Sequence, residues 1–226
     1  MKKGQNATQV KEAFGRIADR YVMANHVLSG GVDILWRRKV ARIVAGWEPE
    51  KILDVASGTG DLALEIQKKC LSAELVATDF SPEMLAHAGR RGVRQTLLAD
   101  ALSLPFEDQS FDVVTVAFGL RNMADWEKGL REMVRVIRDG GCLLVLDFSK
   151  PKGLLGKPYQ AYLQRFLPRA AGLLTGHRDA YSYLAESIQS FPEGRDMLEL
   201  FEKVGMTNCE ERRLTGGIAT IYTGIV

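Results

Sequence analysis

The segment Ile52-Leu-Asp-Val-Ala-Ser-Gly-Thr-Gly-Asp61 constrains this chain more than any other. An apolar run too short for a helix enters a Gly-x-Gly turn, and an amphipathic helix candidate opens at Leu62. Strand, glycine turn and helix in that order are the opening unit of a doubly wound α/β sheet. In that unit the missing side chains let a ligand approach the backbone closely. The chain is thereby predicted to be α/β, with its ligand gathered at the carboxyl ends of parallel strands.

The rest of the chain supports this reading in four segments. Residues 1–50 read as a helical N-terminal cap. Val10, Phe14, Ile17, Ala18 and Tyr21 share one helical face, a second apolar face runs through Ile34, Leu35, Ile43 and Val44, and Glu48-Pro49-Glu50 marks the boundary. Residues 51–150 form the cofactor-binding core. Strands are expected at 51–56, 74–78, 95–98, 111–117 and 142–148, with helices at 62–69, 82–90 and 126–138 between them. Ser81-Pro82 is a helix entry, and Asp139-Gly140-Gly141 is expected to end the third helix. Residues 151–192 are an apolar, aromatic substrate cap, and 193–226 contribute a helix and a hairpin about Thr215-Gly216-Gly217 that completes the sheet.

Acids follow the first three strands. Asp79 lies about 20 residues beyond the glycines, where a carboxylate accepts ribose hydroxyls, or where it simply caps the next helix. Asp100 and Ala101 close the third strand, as an adenine-reading pair or as a plain turn. Thr59 offers a hydroxyl and an N–H at a helix entrance, a place for a carboxylate or phosphate. Gly58-Thr-Gly-Asp-Leu-Ala63 also satisfies the G-x-G-x-x-A form of dinucleotide enzymes, so the turn alone leaves NAD open. After the fourth strand comes Ala117-Phe-Gly-Leu-Arg-Asn122, where Arg121 and Asn122 can meet a substrate oxygen, or Arg121 can pair with an acid that fastens the loop.

Composition removes other classes. With 30 Lys+Arg against 28 Asp+Glu, no nucleic-acid partner is expected. Arg37-Arg38-Lys39 is a solvated helix face or a contact for anionic lipid head groups. Cys70, Cys142 and Cys209 lack metal or disulfide spacing, which fits reduced thiols of a cytoplasmic protein; Cys142 is expected in the core. Neither a signal peptide nor a membrane span is expected. His26, His87 and His177 have no ligand spacing; His87 is expected to be solvated.

With these residues in place, the chain resembles the ubiquinone/menaquinone-biosynthesis C-methyltransferases of the UbiE/MenG type. The resemblance is carried by Phe14–Tyr21, Asn25 with Ser29-Gly30, Leu35-Trp-Arg37, Leu53–Asp61, Phe118–Asn122, Leu144–Pro151 and Tyr181–Ile188, nearly the whole chain. The F-G-L-R-N, F-S-K-P and Y-x-Y-L-x-x-S-I runs are far more specific than the glycines. The resemblance implies a class I S-adenosylmethionine (SAM)-dependent fold: Rossmann-like, doubly wound, with a seven-stranded mostly parallel sheet, a helical N-terminal cap and an inserted cap segment. It implies SAM contacts at Thr59, Asp79, Asp100 and Ala101 about the Gly58–Gly60 turn. Ala117 stands where some members carry a serine, so no hydroxyl contact is expected there.

The implied reaction is C-methylation of a polyprenylated quinol ring in menaquinone (demethylmenaquinol to menaquinol) and/or ubiquinone biosynthesis; demethylmenaquinol is the favoured acceptor, with a benzoquinol left open. Arg121 would favour the ionised ring hydroxyl, Asn122 orient it, and Tyr21, His26, His177 or water accept the ring proton. The family's Tyr-Asp pair is Tyr21-Val22 here, and His26 follows Asn25 where an acid is frequent, so an acidic contribution from that cap is not carried over. Apolar residues from Leu154 to Leu174 would pack the cap, line a tail tunnel or touch the inner face of the membrane. A homodimer is compatible with the resemblance. The competing readings are a nicotinamide oxidoreductase, a methyltransferase for another small hydroxylated aromatic, and a non-catalytic quinone-binding subunit that keeps the fold.

Overall fold

Alternate residues of the central strands face opposite sides, and both sides are apolar, so each strand needs cover above and below. The computed structural model describes residues 31–151 and 187–226. Its strands are β1 (Lys51–Val55), β2 (Glu74–Asp79), β3 (Thr96–Leu98), β4 (Phe111–Ala117), β5 (Ile137–Phe148), β6 (Thr207–Leu214) and β7 (Ala219–Ile225). They form one seven-stranded sheet in the order β3-β2-β1-β4-β5-β7-β6. β1 to β5 are parallel neighbours, and β7 runs antiparallel between β5 and β6.

Ile52, Val113, Leu144 and Leu146 turn to one face. They pack there with helices α1 (Asp33–Gly46) and α2 (Asp61–Gln67), and Ala88 of α3 (Pro82–Arg90) joins them. Leu53, Val55, Val114, Val116, Leu143 and Val145 turn to the other face, against α4 (Trp126–Val136) and α5 (Arg195–Lys203). The helix starts follow the side chains. The Ser81 hydroxyl accepts from the Met84 N–H with Pro82 in the first turn, and the Asp125 carboxylate accepts from the Lys128 N–H. The hairpin closes the sheet as expected, through a short 3₁₀ turn at Thr215–Gly217.

Four expectations are corrected. Ile34 and Leu35 are exposed rather than apolar core, because α1 buries Trp36, Val40, Ala41 and Val44. The same rotation carries Asp33 and Arg37 inward, so Arg37 leaves the solvated basic face. Helix α4 stops at Val136, before Asp139-Gly-Gly141, because Ile137 already pairs with Phe111 as strand. The chain then bulges, and pairing resumes at Val113–Cys142. Cys142 is half-buried there rather than core.

Helix α1 packs on the sheet's core. Trp36 stacks near Phe118 and Phe148, and its Nε1 donates to Thr215 Oγ1 at 2.8 Å. The helix expected about Val10–Tyr21, the apolar stretch from Leu154 to Leu174, and Tyr21, His26 and His177 lie outside the described residues.

Candidate active site

At the carboxyl ends of β1 and β4 the chain turns in backbone conformations that L-residues rarely adopt. Ala56 has φ +51° and Phe118 φ +59° at the ends of β1 and β4, where strain collects at sites of function. Gly60, at φ +81°, begins α2 so close to α3 that a Cβ would lie 2.5 Å from Val93 Cγ2. The turn is tied down from several sides. The Gly58 N–H donates to Asp79 Oδ2 at 2.9 Å, and Arg91 Nη1 donates to the Thr59 carbonyl at 2.8 Å.

These ends surround two adjoining cavities. The first is lined by Arg37, Asp54, the 56–59 turn, Asp61, Asp79, Phe80, Ala117, Phe118 and Asn122, among others. The second, of about 440 Å³, is lined chiefly by Leu98–Leu102 and Met123-Ala124. Ala56, Phe80, Gly119 and Asn122 line both, so the two are halves of one groove. Thr59, Gly58, Asp79 and Ala117 fall in the first half, Asp100 and Ala101 in the second, and Asn122 at the junction.

The carboxylates differ in state. Asp79 is 7% exposed; its oxygens accept from the Gly58 and Ser81 N–H groups, and burial raises its pKa while those bonds oppose the rise. Each oxygen keeps acceptor capacity for a hydroxyl. Asp100 is exposed and accepts from the Leu102 N–H at 2.9 Å. Asp54 is buried and receives the Ser57 and Thr115 hydroxyls at 2.6 and 2.7 Å. Burial pushes its pKa up to about 6, against those hydroxyls and the charge of Arg37.

Thr59 lines the groove. Its hydroxyl donates to Asp61 Oδ2 at 3.1 Å, so the acid of the chain itself occupies the helix entrance. Burial opposes the charge of Asp61, but Arg37, together with Arg91 at 2.7 Å, holds its pKa below the ordinary range. Asp61 thus takes the Thr59 hydroxyl at that entrance in place of an outside anion.

Arg121 is held by groups of the chain itself. Its side chain is fully buried, with Nη1 donating at 2.7 Å both to Asp147 Oδ1 and to the Phe118 carbonyl. The guanidinium also lies 5.8 Å from the Phe118 ring centroid and 5.3 Å from that of Phe148. The Asn122 amide donates to the same Phe118 carbonyl at 3.1 Å. Arg121 thus fastens the loop from beneath rather than facing the groove, while Asn122 lines it.

Asp54, Asp61 and Arg37 also line the groove, outside the residues expected at the site. Asp54 stood in the glycine motif itself and could have been found from its place at the end of β1. Nothing in the basic run about Arg37 distinguishes it from Arg38, because their difference is a matter of helix rotation.

The strand order, the antiparallel β7, and a groove lined by acids after β1, β2 and β3 define a class I methyltransferase fold. Solved structures agree: a SAM-dependent methyltransferase of Thermotoga maritima superposes with a TM-score of 0.68 at 18% identity, covering 94% of this chain and 97% of that one. Human N-acetylserotonin methyltransferase, solved with SAM, gives 0.67 at 17% identity, covering 98% of this chain and 60% of the other. More particularly, the chain belongs to the ubiE/COQ5 methyltransferase family, whose model matches residues 2–226. Among its relatives is a demethylmenaquinone methyltransferase of Thermus thermophilus, 46% identical over 93% of this chain and 98% of the relative. Another is a ubiquinone/menaquinone biosynthesis C-methyltransferase of Azotobacter vinelandii, 41% identical over 98% and 91%.

Proposed function

We propose that the chain is a SAM-dependent C-methyltransferase acting on the ring of a polyprenylated quinol, with demethylmenaquinol as acceptor. The observation that carries the cofactor half is the continuous groove with acids about the ends of β1, β2 and β3. Asp79 would hold ribose hydroxyls; Asp100 and the Ala101 N–H would read adenine; Gly58, Gly60 and Thr59 shape the turn against which the amino-acid end lies. The donor set fits SAM: carboxylates for ribose and ammonium, and an apolar wall of Leu98, Ala99 and Ala101 beside Asp100 for the base. When bound, SAM supplies a methyl group made electrophilic by the sulfonium. The acceptor half rests on the relatives, several of which are named for demethylmenaquinone.

In this reading the protein aligns the acceptor, excludes water and settles a proton. Asn122, which lines both halves, would orient a ring hydroxyl. Arg121 sets the Phe118 carbonyl and so the loop, acting through Asn122 rather than on the ring. Tyr21, His26 and His177 remain the proposed acceptors of the ring proton. The apolar 151–192 segment would receive the prenyl tail, with contact at the inner face of a membrane. Among the described residues no helix is long and apolar enough to cross a membrane.

The test is incubation of the full chain with methyl-labelled SAM and short-tailed acceptors, followed by mass spectrometry of the quinone. Label on a ring carbon of the reduced naphthoquinol, with less on the benzoquinol, is expected. Label on a hydroxyl oxygen, or on neither acceptor, overturns the assignment.

A further inference from the structure

We infer that Arg37 is the residue that recognises the α-carboxylate of the methionine part of the cofactor. This rests on the function proposed above and adds to it a residue from helix α1, outside the glycine turn. Arg37 lines the first half of the groove, beside Gly58, Thr59 and Phe118, and is 6% exposed. Among the described residues it is the sole basic one lining either half. The helix entrance at Thr59 is closed to an anion by Asp61, which already takes the Thr59 hydroxyl and the Arg91 guanidinium. A zwitterionic amino acid in this half therefore meets, among the described residues, three acids, Asp54, Asp61 and Asp79, and one cation.

Arg37 is also held in place. Its Nη1 is paired with Asp33 one turn earlier on α1, and Asp33 is fully buried. The guanidinium lies 5.1 Å from the Phe118 ring centroid. Trp36, next in the chain, ties the helix to Thr215. A planar guanidinium fixed at one nitrogen and stacked on a ring keeps donors for the fork-like grip that a carboxylate takes. Asp54, held by two hydroxyls, takes the α-ammonium in this arrangement.

The test compares two ligands that differ in the amino-acid end alone: S-adenosylhomocysteine, and 5′-methylthioadenosine, which lacks it. Calorimetric titration of full-chain Arg37→Met should show roughly 10- to 100-fold weaker S-adenosylhomocysteine binding, as for a lost charge-assisted hydrogen bond. Binding of 5′-methylthioadenosine should be unchanged, and Arg37→Lys should restore part of the loss. Because Arg37→Met removes a charged partner from buried Asp33, the double variant Asp33→Asn/Arg37→Met, checked by thermal melt, should give the same discrimination between ligands. If both ligands weaken together, or neither does, the inference falls. A wild-type chain that binds neither S-adenosylhomocysteine nor SAM overturns the proposed function itself. A wild type that binds both, beside an indifferent Arg37→Met, overturns the inference about Arg37 alone.

Discussion

Two buried carboxylates behave differently from their sequence positions, and each makes a prediction. Burial raises the Asp54 pKa from 3.8 to about 6, so between those values the folded protein binds more protons than the unfolded chain. Stability thus falls as pH rises through that window and is level above it. Asp54→Asn removes the penalty, and the unliganded protein should gain roughly 1–3 kcal/mol at neutral pH, with the gain gone below about pH 4. Denaturant melts at both pH values check this; no gain at neutral pH contradicts it. Asp147 is buried against Arg121, and removing the guanidinium alone strands it. Arg121→Ala should cost about 3–5 kcal/mol, and Arg121→Ala/Asp147→Ala less than that. An Arg121→Ala protein of wild-type stability and no turnover would instead return Arg121 to the substrate. At this scale the sequence showed Asp79, Asp100 and Ala101, because strand ends and spacing mark them. It left open whether Arg121 meets substrate or an acid, since Asp147 lies 26 positions further along the chain.

Elements were legible where a pattern is local. The apolar runs of β1, β2 and β4 and the Ser81-Pro82 entry of α3 carry their own signals. The end of α4 was not, because Ile137 leaves the helix to pair with Phe111, a long-range gain invisible to the Asp139-Gly-Gly141 stop. Nor was the inward face of α1, since Ile34 and Leu35 look like core until Trp36 and Arg37 are seen against Phe118. The glycine turn makes the sharpest prediction here. At Gly60 both φ and the approach of Val93 exclude a side chain. Gly60→Ala should lower stability by roughly 1–3 kcal/mol. Adding Val93→Ala should relieve the contact and leave the φ strain, so thermal melts of the single and double variants should differ but neither reach wild type. Equal melts for Gly60→Ala and wild type would show that the turn has another conformation available.

For the molecule as a whole, the sheet order brings Gly58, Thr59, Asp79, Asp100, Ala101 and Ala117 along one groove, and a hairpin far along the chain locks α1 over it through Trp36 and Thr215. The doubly wound core was legible from alternating strands and helices; the joining of the two cavities through Ala56, Phe80, Gly119 and Asn122 was not, since it depends on how β1, β2 and β4 end together. A ligand that fills this groove binds the folded state alone, so a saturating cofactor should stabilise the chain by about 2.7 kcal/mol at a hundredfold excess over Kd. An unchanged melt under those conditions contradicts a single preformed site. The most direct test of the central claim is calorimetric titration of the full chain with SAM, S-adenosylhomocysteine and NAD in parallel. One-to-one binding of SAM and S-adenosylhomocysteine, weakened in Asp79→Ala and Asp100→Ala, with no heat from NAD, is predicted; saturable binding of NAD with none of SAM would contradict it.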